Sequence, residues 1–266
     1  MKALFWQEIK QNRRTAIIWI ISLTSVAALY MLIFPAFADA AETVNKIYQS
    51  FPLALRKAFG LNFDPKFALA SFYALVLGFT TLAAAIQAMN LGTASLSKEE
   101  RGKTAEFLLS KPIKRSSIVS AKLAAAVVVI AGTNVVFVSA TWTIMMAVSK
   151  VALSTSVFLL MSLTLLFVQI FFVALGFLIS VSAKRIKNVL SVSLVTVFAF
   201  YIVGMFDAVL GAKAVRYLTP FKFFDLIYVY KHGSYEWQYP LIEIMFVIAA
   251  VAAGYYIYSR RDISSI

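Results

Sequence analysis

The chain has 266 residues, 61% of them hydrophobic and 14% charged, a balance too apolar for a soluble domain of this size to bury while still showing water a polar surface. A net charge of +13 suits nucleic acid, anionic lipid or membrane topology equally well, but the basic residues fall in the gaps between apolar runs, which favours a membrane. Cysteine is absent and His232 is the one histidine, which leaves almost no material for thiolate chemistry, Cys/His zinc sites or a Ser-His triad.

The N-terminal segment reads as an interfacial helix. Phe5, Trp6 and Ile9 share a face, while Lys2, Lys10, Arg13 and Arg14 reach lipid phosphates by snorkelling. These few basic residues abut an apolar run and have no base-reading scaffold, so nucleic acid is excluded as a partner. The first apolar run, Ala16 to Ala38, is long enough to cross a membrane, which takes roughly 20 residues of helix. A cleaved signal peptide is the competing reading, because Ala36-Phe37-Ala38-Asp39-Ala40 has small residues at cleavage spacing. Ala16 to Phe34 carries no charge, however, and exceeds the about 7 to 15 residues of a signal's apolar region. In the following connection, Asp39 to Lys66, a short helix is expected over Glu42 to Gln49. A break at Pro52 and a second helix over Leu53 to Phe59, capped by Gly60, follow it.

The second run, Phe67 to Ala94, contains Gln87 and Asn90, and Asn134 and Gln169 occupy similar places in the third and fourth. Two readings stay open for these four: hydrogen-bond partners between helices, the commoner case, or the lining of a cavity. The stretch after the second run, Ser97 to Arg115, reads SKEERGKTAEFLLSKPIKR. A short helix from Lys103 to Ser110 puts Ala105, Leu108 and Leu109 on one face, with Lys103, Glu106, Phe107 and Ser110 on the other, and Pro112 ends it. An aromatic ring among charges suits docking into a partner's groove; a helix lying flat on the membrane is the alternative. Gly102-Lys103-Thr104 imitates the tail of a phosphate-binding loop. That loop needs a further glycine where Ser97 stands, and a soluble nucleotide-binding domain around it. The chain is therefore expected to bind no nucleotide by itself.

Apolar runs at Leu123 to Val148, Thr155 to Val181 and Val189 to Leu210 follow with short connections. The last long connection, Gly211 to Gln238, mixes Pro220 with Phe221, Phe223, Phe224, Tyr228 and Tyr230. It is expected to lie at the membrane interface, with substrate gating as a second reading and His232 as a loop residue. The sixth run, Tyr239 to Tyr258, is flanked by Trp237 and Tyr239 at one end and by Tyr255, Tyr256 and Tyr258 at the other, which fits two aromatic belts. Asp207 and Glu243 are the acidic residues inside these limits, each near an end. A membrane-embedded enzyme would need paired acids, a histidine cluster or a Ser/Lys dyad within the spans, and they offer none.

These features predict an all-α integral membrane protein, a single transmembrane domain over residues 1–266 with six spans and no internal repeat. An even number of spans puts both termini on one side. That side collects 16 of the 25 Lys and Arg residues and five of the twelve acids, for +11 against +2 on the other, so both termini are expected to be cytoplasmic.

The sequence resembles the permease family of ABC-2 type transporters. That family carries, between its second and third spans, an acidic pair, Arg-x-Gly-Thr-x-Glu-x-Leu-Leu-Ser-x-Pro and a basic residue, then a lysine opening the third span. Here Glu99, Glu100, Arg101, Gly102, Thr104, Glu106, Leu108, Leu109, Ser110, Pro112, Arg115 and Lys122 match, with Lys103 an extra residue that shifts Thr104. Leu218-Thr219-Pro220-Phe221 with Phe224-Asp225, and Arg260-Arg261-Asp262 at the end, resemble two further family segments. The resemblance implies a permease subunit in a bacterial or archaeal cell membrane. It would pair with a second copy or a sister permease and with two cytoplasmic ABC ATPase subunits that carry the ATP and Mg. It also implies a coupling helix over Glu99 to Ser110 and export of a substrate, for which the apolar spans suggest a drug, a peptide antibiotic or a lipid. A membrane-bound regulatory or assembly protein that docks a cytoplasmic partner without transport is the alternative.

Overall fold

In a lipid interior every backbone N–H and C=O has to be paired within the protein, and a helix does this with its own residues. The computed structural model describes residues 2–58, 68–101, 113–149, 153–183, 185–210 and 213–260, and is built from helices without a strand among them. The helices are α1 (Lys2–Asp39), α2 (Ala41–Ser50), α3 (Leu53–Ala58), α4 (Ala68–Arg101), α5 (Arg115–Val148), α6 (Thr155–Ser182), α7 (Val189–Leu210), α8 (Lys213–Arg216), α9 (Leu226–His232) and α10 (Gln238–Arg260). A 3-10 turn at Pro220–Lys222 lies between α8 and α9.

Six of these are long and apolar enough to cross a membrane: α1, α4, α5, α6, α7 and α10. They coincide with the six apolar runs. Their ends reach beyond the apolar runs: α1 begins at Lys2, α4 continues to Arg101 and α5 begins at Arg115. The segment expected to be a separate interfacial helix is thus the first four turns of α1.

Helices α4 and α6 make the centre of the bundle. Their apolar stretches are 61% buried, against 22% for those of α1, α7 and α10. Apolar side chains gain little from leaving lipid for one another, so close backbone packing has to supply the attraction. Gly92 of α4 and Gly176 of α6 provide it: a Cβ on Gly176 would come 2.8 Å from the Met89 carbonyl oxygen, and one on Gly92 would come 3.0 Å from the Gly176 Cα. On either side of this pair, α1 packs on α5 and α4, α10 on α6, and α7 on α4. Exposed residues such as Ile18, Ile21, Leu29, Val195 and Ile248 cover the outside with apolar surface.

Leu4, Leu96, Ile118, Val181 and Tyr258 pack in one cluster, so both ends of the described chain and the roots of the α4–α5 connection lie at one end of the bundle, called here the terminal end. Helices α2 and α3 and the segment from Lys213 to Glu236 belong to the opposite end. The two short helices predicted in the first connection are present, although Phe59 and the capping Gly60 lie outside the described residues.

Candidate functional site

Four charged side chains meet at the terminal end. Glu8 of α1 accepts from Lys98 of α4 and, at 2.7 Å, from Lys122 of α5; Lys122 also donates to Glu99, and Lys98 donates at 3.0 Å to the Gln11 Oε1. The side chains of Glu8 and Lys122 are 5% and 1% exposed, so these charges have exchanged water for one another. Two carboxylates and two ammonium groups cancel, which makes the burial tolerable. Leu4, Glu8 and Gln11 share one face of α1 through their i, i+4, i+7 spacing, and that face meets the bundle. Phe5 and Ile9 flank it, half-buried, while Trp6, Arg13 and Arg14 are exposed.

The cluster sits at the root of the α4–α5 connection. Glu99, Glu100 and Arg101 form the last turn of α4 and do not start a new helix; Gly102, Lys103, Thr104, Glu106, Phe107 and Ser110 lie outside the described residues. The other root is fastened too. Arg115 donates at 3.3 Å to the carbonyls of both Tyr258 and Ser259, capping the negative end of α10, and the Ser120 and Tyr255 hydroxyls are 2.7 Å apart.

Deeper in the bundle, a second polar set joins three spans. The Gln87 amide donates to Thr133 Oγ1 at 3.0 Å, Gln169 donates to Gln87 Oε1 at 3.2 Å, and Asn134 donates to Gln169 and, at 2.8 Å, to the Ile130 carbonyl. All four side chains are buried. Of the four residues considered for a cavity, Asn134 and Gln169 are thus partners in a network between helices. Gln87 belongs to that network and also, with Asn90, to the wall of a recess. The recess encloses about 160 Å³ between α1, α4, α5 and α7, where Asn12, Trp19, Leu91 and Val189 complete most of the lining. Asn90 Oδ1 is buried and has no hydrogen-bond partner among the described residues.

At the opposite end the segment expected at the membrane interface, Gly211 to Gln238, is described from Lys213 onward and packs part of its aromatic content against the bundle. Thr219, Pro220, Phe223, Phe224 and Val229 are buried in the bundle. The rings find partners there: Phe221 on Phe172 and Tyr201, Phe223 on Phe171 and Tyr239, Phe224 stacked on Phe167. The Thr219 hydroxyl donates at 2.8 Å to the Phe200 carbonyl of α7. Arg216 holds the segment's ends together: it pairs with Glu236, donates at 2.8 Å to the Lys222 carbonyl and lies 3.9 Å from the centre of the Tyr239 ring. Burial pushes the Tyr235 phenol well above its usual range, so it stays protonated and donates to the Leu160 carbonyl. Asp225 caps α9 through the Ile227 and Tyr228 amides, and His232 ends it, exposed and stacked on Tyr228.

Two of the aromatic belt assignments change. Trp237 and Tyr256 are exposed as belts require, but Tyr239 and Tyr258 turn inward. Glu243 is buried, and its Oε2 finds no hydrogen-bond partner among the described residues.

Sequence reasoning passed over Glu8. Its one signal is an acid standing alone among Lys2, Lys10, Arg13 and Arg14, which lipid phosphates do not explain. The family model described as ABC-2 family transporter protein matches residues 2–263. No curated protein matches the chain.

Proposed function

Because the chain belongs to the family of ABC-2 transporter proteins, we propose that it is the permease subunit of an ATP-driven exporter whose ATP and Mg are held by two separate cytoplasmic ABC ATPase subunits. The terminal end is the cytoplasmic face, in keeping with its surplus of Lys and Arg. A second copy of the chain, or a sister permease, completes the transport unit in a bacterial or archaeal cell membrane.

The observation that carries this reading is the Glu8, Lys98, Glu99 and Lys122 cluster at the root of the α4–α5 connection. A loop pushed by a partner moves the spans only if its roots are stiff. Salt links among α1, α4 and α5, with Arg115 fastening α10, turn a displacement at residues 102–112 into a joint movement of four spans. In the proposed cycle, closure of the ATPase dimer presses on Glu99 to Ser110 and on the exposed Trp6, Arg13 and Arg14 face of α1. The spans rotate and a cavity between the permeases opens to alternate sides. Its cargo is an amphipathic molecule: a drug, a peptide antibiotic or a lipid. Hydrolysis belongs to the partner.

The test is co-purification of the chain with candidate ABC ATPase subunits, wild type against Glu106→Lys with Phe107→Ala, with ATP hydrolysis measured on the complex that survives. Release of the ATPase, or hydrolysis that no longer responds to the permease, is the expected result. Failure of every ATPase to bind the wild type would remove the exporter reading.

A further inference from the structure

Helix α2 has two chemically distinct sides. Glu42, Lys46 and Gln49 recur at i, i+4, i+7 and are all exposed, whereas Val44, Ile47, Tyr48 and Phe51 recur at i, i+3, i+4, i+7 on the other side. Val44 and Tyr48 are half-buried, but Ile47 is 51% exposed and Phe51, the residue after the last turn, is 42% exposed. Leu53 and Leu55 of α3 are exposed as well. Large apolar side chains thus point outward on a connection between spans.

What surrounds this face follows from what holds the two ends of α2. Its first turn comes directly after α1, with the Val44 amide on the Ala40 carbonyl at 2.9 Å, so it starts where the apolar run of α1 stops. Its last turn leads through Phe51 and Pro52 into α3, and α3 packs on α7. Ten helical residues reach about 15 Å. Held at α1 on one side and by α3 at α7 on the other, α2 runs along the edge of the bundle and not away from it. The surfaces it joins are apolar and exposed within spans: Leu32 and Ile33 on α1, Ile202 on α7. Ile47 and Phe51 continue that lipid-facing surface from one span to the other.

An apolar side continuous with the lipid-facing surface, with charged residues opposite, is the pattern of a helix lying in the membrane–water interface. A protein partner is a poorer match. Stable protein interfaces take about 20 to 30 residues a side, whereas partition into lipid needs no matched surface. We propose that α2 is an interfacial helix seated in the leaflet opposite the terminal end, with Ile47 and Phe51 among the upper acyl chains of phospholipids and Glu42, Lys46 and Gln49 towards water. It ties the ends of α1 and α7 to one depth of the bilayer. Its seat in lipid depends on the six spans alone; that the leaflet is the outer one rests on the permease reading.

The chain has no cysteine, so a nitroxide can be attached at one chosen place. Ile47→Cys, Phe51→Cys, Lys46→Cys and Gln49→Cys are spin-labelled in phosphatidylcholine nanodiscs and compared with Ile33→Cys on α1 by electron paramagnetic resonance. Collisions with oxygen, which dissolves among acyl chains, are set against collisions with a water-soluble nickel chelate. The oxygen-to-nickel ratio is expected to be roughly threefold or more higher at Ile47 and Phe51 than at Lys46 and Gln49, approaching that at Ile33. Equal ratios at all four positions overturn the proposal and put α2 in water. Shielding of the Ile47 and Phe51 labels from both reagents also overturns it, with a second copy of the chain as the cover. If the labelled variants do not fold, Phe51→benzoylphenylalanine decides by irradiation: a phospholipid adduct upholds the seat in lipid, and a cross-link to a second copy, or no adduct, overturns it. None of these readings requires an ATPase, so failure of the permease reading leaves them unchanged, and their failure leaves ATPase binding unchanged.

Discussion

Glu8 holds two ammonium groups in a place where Lys122 has almost no water to turn to. Replacing it by Gln keeps the shape and removes the charge, leaving Lys98 and Lys122 to repel one another with Glu99 as the remaining acid. Breaking a buried pair from one side costs about 3 to 5 kcal/mol in soluble proteins, so a clear fall in Tm of the purified protein is expected for Glu8→Gln. Lys98→Met in the same chain takes away the repulsion, and the double variant should recover part of the loss, a coupling that a thermal-unfolding double-mutant cycle measures. Additive losses would mean that the two side chains act separately.

At the scale of elements, the contact between α4 and α6 sets the spacing of the bundle. A methyl group on Gly176 meets backbone on the facing helix, and backbone cannot step aside as a side chain can. Gly176→Ala is expected to destabilise by about 1 to 3 kcal/mol or more, as overpacked cores do. Gly132→Ala in α5 has open space around it and should be neutral or gain up to about 1 kcal/mol in helix propensity. Thermal unfolding of the two variants in one detergent separates them; equal effects would show that the close approach is not what holds α4 to α6. The same contrast between elements explains the segment from Lys213 to Glu236. Alone it reads as an amphipathic stretch for a surface, yet its rings are seated against α6, α7 and α10, which no local pattern announces.

For the whole molecule, the question is which end faces the cytoplasm. The chain has no cysteine, so single cysteines report without a background. Ser50→Cys, exposed at the end of α2, is expected to react in intact cells with a membrane-impermeant maleimide. Ser259→Cys, exposed near the end of α10, is expected to react only after the membrane is opened. The reverse pattern would invert the bundle and put the Glu8 cluster on the face without ATP.

Membrane location, six spans and family membership were all legible in the sequence alone. Hydropathy acts over runs of about 20 residues, and a charge inside such a run costs enough to keep it rare; the motif around Arg101 to Ser110 is likewise local. Which charges are solvated was not legible. Lys98, Glu99 and Lys122 read as parts of a connecting loop and its margins because each is polar, and the pairing of both lysines with Glu8, some 90 residues away from Lys98, exists only once α1 lies against α4 and α5. The same holds for the polar residues within the spans. Gln87, Asn90, Asn134 and Gln169 look alike in sequence, and packing alone joins Gln87, Asn134 and Gln169 in one hydrogen-bond network while setting Gln87 and Asn90 at the border of a recess. A hydrogen bond or an ion pair depends on distances of about 3 Å between groups far apart in the chain, and only the tertiary structure brings them together.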